Sequence, residues 1–350
     1  MKSLRFAQAI LLANLNKTPK PYKLTFAVTN RCNARCKACS LWKKNDLSAL
    51  TLAEIDSFFK QANHFSWIDL TGGEPFLRPD IIPLVATLLR HSPHLYHLHL
   101  PTNAIAPGLT IQRIQEILAL KPHKLTITLS LDGPPALHDT LRGVTGNWQN
   151  CLEVYRHFLS HPHPRLQIFF GFTLSDFNLG AFAATVEAVR KEFPGMNYRS
   201  WHMNIAHHSS HYYDNAAIEL RSAVNTPAFL QEIAAFREAK RGRWYDPVAF
   251  LEGCYLTSAL EFIRTKKTPM PCRAIDSSLF LAANGTCYPC SIWDRPLGNI
   301  REFNYDLTAL LASSEARRAK NEIRAKQCPN CWTPCDAYPT ILGNLFKTLS

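Results

Sequence analysis

Residues 24–39 read LTFAVTNRCNARCKAC, an apolar strand pattern that runs directly into three closely spaced cysteines. Cys32, Cys36 and Cys39 lie within one short loop, and thiolates grouped at such short spacings usually hold metal. Each thiolate can bind one iron of a [4Fe–4S] cluster, which leaves the fourth iron without a protein ligand. A structural zinc ion needs a fourth ligand, and neither Asn33 nor Ser40 is a good one. Zinc, and cysteines without metal, stay open as alternatives.

The cysteine content of the whole chain points the same way. The 350 residues include 11 cysteines, and an odd number leaves at least one of them outside any disulfide. A reducing cytosol disfavours disulfides in any case. Nine of the cysteines fall into three clusters, whereas Cys151 and Cys254 stand alone and are expected to pack as small apolar side chains.

The strand before Cys32 also begins a repeating pattern, in which apolar segments alternate with amphipathic ones. This alternation is typical of parallel β-α-β units in a doubly wound sheet or a partial barrel. The predicted strands cover residues 24–28, 67–70, 96–100, 124–131, 166–172 and 197–203. The predicted helices between them cover residues 51–63, 79–90, 110–120, 148–160 and 179–192.

Polar and glycine-rich segments follow the first four of these strands. They are Cys32 and its loop, TGGEP at 71–75, Thr102-Asn103, and SLDG at 130–133. Because the carboxyl ends of parallel strands meet at one edge, we expect these segments to share a site. Glycine, proline and asparagine are common in any loop, but that does not account for three cysteines there.

Two of these segments resemble the radical S-adenosylmethionine (SAM) superfamily. TFAVTNRCNARCKAC at 25–39 resembles its strand followed by Cys-x3-Cys-x2-Cys, and TGGEP resembles its GGEP motif. The resemblance implies a partial (βα)6 TIM-like barrel. It also implies a [4Fe–4S] cluster whose open iron binds SAM, and reductive cleavage of SAM to a 5′-deoxyadenosyl radical that abstracts hydrogen from an organic substrate.

The resemblance also assigns site residues by position. Cys32, Cys36 and Cys39 would hold the cluster, and the GGEP residues would meet the SAM amino group: Gly72, Gly73, Glu74 and Pro75. TNA at 102–104 resembles the TNG loop of the family, which adds Thr102 and Asn103. SLDG and HDTLRG resemble a loop on the ribose side, which adds Ser130, Arg142 near the SAM carboxylate, and more weakly Asp132.

One position departs from the family pattern. The residue before the third cysteine is usually aromatic in this family, and here it is Ala38. The ring that would cover the adenine therefore has to come from elsewhere, for example from Trp42.

The C-terminal cysteines allow two interpretations. Cys287-x2-Cys290 and Cys328-x2-Cys331 form a zinc-ribbon pattern. Alternatively, DSSLFLAANGTCYPC at 276–290 resembles the hairpin of the SPASM or twitch extension of radical SAM enzymes, with a predicted type I′ turn at Asn284-Gly285. That resemblance implies one auxiliary [4Fe–4S] cluster held by four of five cysteines: Cys272, Cys290, Cys328, Cys331 and Cys335. Cys287 would then be a bystander.

These patterns predict a domain order. An N-terminal helix in residues 1–22 precedes a core at 23–225, a helical linker at 226–271 and an auxiliary-cluster domain at 272–350. The polar stretch at 204–225 is expected to be a linker or a substrate-facing loop. Within it, and at His202, one of several histidines could touch substrate.

Composition and net charge indicate which classes of partner the protein is expected to bind. Hydrophobic residues make up 46% and charged residues 19%, which is ordinary for a globular protein, and no apolar run has the ~18 residues of a membrane span. The net charge of +12 is spread over several helices, so attraction for a flavodoxin- or ferredoxin-type electron donor or an anionic substrate is favoured over nucleic acid. We expect a cytoplasmic enzyme acting on a small molecule or a peptide, by oxidation of a sugar or an alcohol or by modification of a peptide.

Other functions stay in view. The main alternative is a non-catalytic zinc or iron–sulfur protein that binds a partner or RNA. The chain ends in KTLS rather than Gly-Gly, so we expect it not to be the cyclisation enzyme of molybdenum cofactor synthesis. No cobalamin domain and no peptide-recognition domain are expected ahead of the core, which weakens a role as a peptide maturase.

Overall fold

A curved parallel sheet forms the centre of the computed structural model, which describes residues 2–18, 20–44, 48–220, 227–240 and 246–348. Its first six strands lie side by side in the order β6-β5-β4-β3-β2-β1. They are β1 Lys23–Thr29, β2 Trp67–Gly72, β3 His97–Thr102, β4 Leu125–Ser130, β5 Leu166–Leu174 and β6 Trp201–Ile205. The partial barrel predicted from the sequence is confirmed.

Thirteen α-helices of the described residues accompany the sheet. They are α1 Lys2–Asn14, α2 Leu52–Gln61, α3 Ile81–His91, α4 Pro107–Ala119, α5 Pro135–Arg142, α6 Asn147–Ser160, α7 Phe182–Glu192, α8 Pro227–Ala239, α9 Pro247–Thr265, α10 Leu307–Leu311, α11 Ser314–Arg324, α12 Pro334–Leu342 and α13 Leu345–Thr348. The large apolar core lies between the sheet and its covering helices. No helix in the described part of the chain is both long and apolar enough to cross a membrane.

The first five predicted strands are confirmed, but the sixth lies later in the chain than predicted. The sequence pattern places it at 197–203, whereas β6 begins at Trp201. The side chain of Asn197 accepts a hydrogen bond from the backbone of Arg199 and caps a 3₁₀ turn at Tyr198–Ser200. This local capping competes with extended backbone, which is why the apolar pattern alone misplaced the strand.

The C-terminal hairpin is part of the barrel sheet. Its strands are β7 Ser278–Leu281 and β8 Thr286–Tyr288, followed by the short β9 Gly298–Asn299. Strand β7 pairs with β1 in parallel, so the sheet continues across the predicted boundary at residue 272. That boundary stays a prediction, and the one between 225 and 226 lies outside the described residues.

The type I′ turn predicted for this hairpin is wrong. The backbone N–H of Ala282 donates to Thr286, so three residues rather than two form the loop. Gly285 alone has a positive φ, of 87°, and Asn284 does not share it. A type I′ turn needs positive φ at both central residues, whereas one left-handed glycine at the end of a three-residue loop is typical of a turn with a bulge.

Candidate active site at the carboxyl ends of the strands

The loop that carries the first three cysteines is fixed by the end of β2. The backbone N–H of Gly73 donates to Thr29 at 2.8 Å, and that of Glu74 donates to Arg31 at 2.8 Å. A Cβ at Gly73 would stand 2.2 Å from the carbonyl oxygen of Arg31, and one at Gly72 would stand 2.1 Å from that of Thr29. The two glycines are therefore required by the backbone that leads into Cys32.

The other side of this loop rests on the end of α5. The backbone N–H groups of Arg35 and Lys37 donate to the carbonyls of Arg142 and Leu141, each at 2.9 Å. Carbonyls at a helix C-terminus have no partner within the helix, so they are free to accept these bonds. The sequence motif HDTLRG therefore does two things, because it also places Arg142 beside the cysteines.

The three thiols of the loop are partly buried, and they influence one another electrostatically. Burial raises the pKa of Cys32 to about 11 and that of Cys39 to about 12. The charge of Cys36 raises both values further, and that of Arg142 opposes them. Thiols with raised pKa values stay protonated at neutral pH, so thiolates in this loop call for a strong cationic partner such as iron.

Two polar groups donate to the sulfurs of this loop. Nη1 of Arg142 lies 3.6 Å from Sγ of Cys36, and Nδ2 of Asn103 lies 3.8 Å from Sγ of Cys32. Nη2 of Arg142 forms an ion pair of 2.6 Å with Oδ2 of Asp132. Such donors stabilise negative charge on sulfur, and in cluster proteins they help to set the reduction potential.

Glu74 ties the end of β2 to the end of β3. Its carboxylate accepts from Oγ1 of Thr102 at 2.9 Å and from the backbone N–H of Asn103 at 2.7 Å. Burial raises its pKa to about 7, which the hydrogen bonds from Asn103 and Phe76 oppose. The predicted site residues of these two strands thus form one network, and contact of Glu74 with a SAM amino group stays a prediction.

A second network behind the site was missed from the sequence. His138 accepts from the backbone N–H of Asp132 and pairs with Asn147, each at 3.1 Å. Asn147 donates to the carbonyl of Asn103 at 2.9 Å, and Sγ of Cys151 donates to the same carbonyl. Cys151 therefore packs behind the site. The only sequence signal was the DG turn at 132–133 followed by two prolines.

Trp42, the ring expected to cover the adenine in place of an aromatic residue at position 38, packs against an arginine. The guanidinium of Arg35 lies over Trp42, 4.7 Å from the ring centroid. The carbonyl of Ala38 itself accepts from Nδ2 of Asn215 at 3.1 Å. Coverage of an adenine by Trp42 stays untested.

Four of the C-terminal cysteines form a second group. Burial raises the pKa values of Cys290 and Cys331 well above the usual one, and the charges of neighbouring thiols add to this. The thiols whose charges act on one another are Cys272, Cys290, Cys328 and Cys331, and the carboxylate of Asp336 acts on three of them. We therefore predict these four cysteines as one ligand set. A cavity of about 380 Å³ opens beside Cys272 and Cys328. One buried and three partly buried cysteines beside such a cavity fit an iron–sulfur cluster.

Cys335 has different surroundings. Its carbonyl accepts from Nζ of Lys23, and charges of Lys23 and Asp69 act on its thiol. Cys287, in β8, is wholly buried in the apolar core, and burial alone raises its pKa. A ligand set without Cys335, and Cys287 as a bystander, therefore stay predictions that agree with these surroundings.

No three Cys, His, Asp or Glu side chains of the described ranges converge as the ligands of one metal ion do. A [4Fe–4S] cluster makes no such demand, because each thiolate binds a different iron.

A pair of variants tests the second group. We expect Cys331→Ala to lower the iron content of anaerobically reconstituted protein from about eight to about four per chain, because a cubane binds one thiolate per iron. Cys335→Ala is expected to keep about eight. Iron and zinc are measured together by mass spectrometry. Loss of iron in Cys335→Ala but not in Cys331→Ala, or four irons with one zinc in the unaltered protein, contradicts the assignment.

One segment, residues 207–215, hydrogen-bonds to both cysteine groups. On one side, the carbonyl of Tyr213 accepts from the backbone of Ser40, next to Cys39, at 2.9 Å. On the other side, Nε2 of His211 donates to the carbonyl of Cys290 at 3.1 Å. The stretch predicted to be a linker or substrate-facing loop therefore connects the two groups.

The inner face of the barrel is polar. Lys23 and Asp69 form a buried ion pair of 2.9 Å, and Lys240 and Glu252 form another of 3.1 Å. Between them lie imidazoles and hydroxyls from successive strands: His97, His99, Thr126, Thr128 and His202. Burial lowers the pKa of His97 to about 3, so it is neutral. The lumen thus offers hydrogen bonds with its charges balanced.

Comparison with solved structures identifies the same fold. SuiB of Streptococcus suis, solved bound to S-adenosylmethionine, has a TM-score of 0.57 and 18% identity. The alignment covers 87% of this chain and 69% of SuiB. The protein anSMEcpe, solved with AdoMet and a Cp18Cys peptide, has a TM-score of 0.58 and 15% identity. The alignment covers 94% of this chain and 100% of anSMEcpe.

Curated relatives match a part of the chain. AlbA of Bacillus subtilis (strain 168), an antilisterial bacteriocin subtilosin biosynthesis protein, is 28% identical over 154 residues, which cover 41% of this chain and 32% of AlbA. GTP 3′,8-cyclase of Alkaliphilus metalliredigens is 31% identical over 139 residues, which cover 37% of this chain and 41% of the cyclase. The match thus spans less than half of either relative.

Family models match both parts of the chain. The model of the radical SAM superfamily matches residues 26–188, and that of the SPASM iron–sulfur cluster-binding domain matches residues 272–335. The cofactors are accordingly SAM with a [4Fe–4S] cluster, and an auxiliary iron–sulfur cluster. The chain belongs to the radical SAM superfamily and carries a C-terminal SPASM domain.

Proposed function

We propose that this enzyme cleaves SAM reductively and uses the 5′-deoxyadenosyl radical to abstract a hydrogen atom from a peptide substrate. Cys32, Cys36 and Cys39 hold the cluster that binds SAM. When bound, this cluster supplies the electron that breaks the sulfonium bond. The remaining roles belong to side chains of the chain: Glu74, Thr102 and Asn103 position the SAM amino end, and Ser130 and Arg142 face its ribose and carboxylate.

We infer the substrate class from the balanced charge on the inner face of the barrel. Lys23 and Lys240 each have a buried carboxylate partner, Asp69 and Glu252. A nucleoside triphosphate needs several cations free to pair with its phosphates. Backbone amides and hydroxyls instead match neutral imidazole and threonine groups. This favours a peptide over a nucleotide such as GTP, and neighbours solved with bound peptides support it.

The auxiliary site supports an external electron carrier. Cys272 and Cys328 border a cavity that is also lined by four cations, Arg273, Lys320, Arg324 and Lys326. Asp276 lines it too and pairs with Lys320 and Arg324, so the lining keeps an excess of positive charge. Positive charge around a solvent-open site attracts acidic partners. We therefore propose a flavodoxin- or ferredoxin-type electron donor, and a reducing, cytoplasmic setting in which cysteines stay out of disulfides.

A substrate screen tests the peptide proposal. The reconstituted enzyme is incubated anaerobically with SAM and dithionite, together with a peptide library, GTP or a panel of sugar alcohols. We expect peptides alone to raise 5′-deoxyadenosine above the background without substrate, and a peptide of altered mass to appear. Stimulation only by GTP, or only by a sugar alcohol, contradicts the substrate class while leaving SAM cleavage intact.

A further inference from the structure

Three imidazoles line the inner face of the barrel, and one of them differs from the others. Nε2 of His97 bonds to Oγ1 of Thr126 at 2.8 Å, and Nε2 of His99 bonds to Oγ1 of Thr128 at 2.9 Å. Among the described residues, Nε2 of His202 has no such partner, and its side chain is 22% exposed. His202 therefore keeps a ring nitrogen without a partner, while its ring packs edge-on against Phe169, 4.3 Å between the centroids.

The other nitrogen of His202 is held by a buried carboxylate. Nδ1 lies 2.5 Å from Oε1 of Glu252, whose side chain is 2% exposed. A carboxylate can only accept, so Nδ1 carries the proton and Nε2 keeps its lone pair. Glu252 is itself fixed by Nζ of Lys240 at 3.1 Å and by the hydroxyl of Tyr338. A base oriented by a fixed carboxylate is a recurring catalytic arrangement.

Burial keeps His202 neutral. Burial is the largest influence and lowers its pKa, the charge of Glu252 opposes this, and the positive charge of Lys240 lowers the pKa further. The buried ion pair with Lys240 holds the pKa of Glu252 well below its usual range, so Glu252 stays ionised. A neutral imidazole beside an ionised carboxylate is ready to take a proton at pH 7.

Strand register places His202 near the SAM-binding edge. His202 lies opposite Gly171 on β5, and Gly171 lies opposite Ser130 on β4. Two strand spacings correspond to about 10 Å between the backbones of His202 and Ser130. Gly171 lies between them, and the methyl group of Thr128 packs where its side chain would stand, 2.6 Å from an added Cβ. A substrate would therefore have to reach the imidazole from the carboxyl ends of the strands, where the ribose-side residue is predicted to lie.

We propose that His202 is the general base of the reaction, with Glu252 as its positioning residue. The proposal rests on the function given above. The 5′-deoxyadenosyl radical removes one hydrogen atom from a substrate carbon, and an oxidised product then requires the loss of one more proton and one electron. Nε2 of His202 takes the proton as the new double bond or cross-link forms. The auxiliary iron–sulfur cluster, which Cys272, Cys290, Cys328 and Cys331 would hold, would supply the acceptor for the electron.

Ring-¹⁵N histidine NMR tests the assignment without any substrate. The spectrum is recorded on reconstituted protein in the oxidised [4Fe–4S] state, and His202→Gln identifies the His202 signals by their loss. We expect a proton on Nδ1 and none on Nε2 at pH 7. Glu252→Gln is expected to shift this tautomer, whereas Glu261→Gln, an exposed glutamate on the same helix, is not. A proton on Nε2 at pH 7 overturns the proposal.

A turnover assay is the second test of the proposal, and its substrate is a peptide found in the screen. We expect His202→Gln to lower the ratio of product to 5′-deoxyadenosine by about 10²–10⁴-fold, and His202→Ala to recover part of it with added imidazole. An unchanged ratio in His202→Gln overturns the base assignment. If the unaltered enzyme modifies no peptide, the proposed function fails, and the NMR result still decides the state of His202.

Discussion

Replacing Cys36 by alanine is expected to abolish formation of 5′-deoxyadenosine from SAM. Cys36 lies between Cys32 and Cys39 in sequence, and its charge acts on both of their thiols. Without it, one iron of the cluster loses its thiolate, and the partly buried neighbours gain no other anionic ligand. The measurement is chromatographic quantification of 5′-deoxyadenosine after anaerobic incubation with SAM and dithionite, alongside iron content.

Cys254→Ala is the matched control. Cys254 lies in α9, partly buried and apart from both cysteine groups, and is expected to keep both activity and iron. Iron in Cys36→Ala should fall from about eight to about four per chain, because the auxiliary group is untouched. Product formation by Cys36→Ala at the level of the control would show that this cysteine holds no catalytic cluster.

Replacing Gly73 by alanine is expected to displace the cysteine loop, although Gly73 is not a cluster ligand. The added Cβ would stand 2.2 Å from the carbonyl oxygen of Arg31 and 2.7 Å from that of Asn30, both of them backbone atoms. Backbone cannot move aside as a flexible side chain can, so the free energy of unfolding should fall by about 1–3 kcal/mol. The core cluster should also be lost. Denaturant unfolding and iron content measure the two effects.

Gly108→Ala separates this clash from the general effect of removing a glycine. Gly108 lies in the first turn of α4, and nothing lies within 4 Å of an added Cβ. Alanine is the better helix former by about 0.5–1 kcal/mol, so stability should stay equal or rise, with full iron content. If Gly73→Ala retained the stability and iron of Gly108→Ala, the clamp between β2 and the cysteine loop would not be needed.

The positions of the site residues could be predicted because parallel strands bring their carboxyl ends together. The cysteine loop, TGGEP, Thr102-Asn103 and SLDG do meet at one edge, as their places after strands required. The sequence predicted less well why glycines are needed in TGGEP. The sequence suggested an approach to a ligand, and the structure shows an approach to the preceding backbone, which depends on how β1 and β2 align.

Contacts between distant segments could not be predicted. His202 and Glu252 are 50 residues apart and belong to different elements, so no local pattern links them. The same holds for the separation of Cys335 from Cys331, which are close in sequence. α12 begins at Pro334, and its packing directs Cys335 toward Lys23 and Asp69 instead of its neighbour's group.

One assay tests most directly whether the two cysteine groups serve a SAM-cleaving enzyme. The protein is reconstituted anaerobically with iron and sulfide, reduced with dithionite and given SAM, and 5′-deoxyadenosine and methionine are quantified together. We predict that both products form in equal amounts, from protein that holds about eight irons per chain. Fully reconstituted protein that yields neither product would contradict the account, and would favour a non-catalytic metal-binding protein.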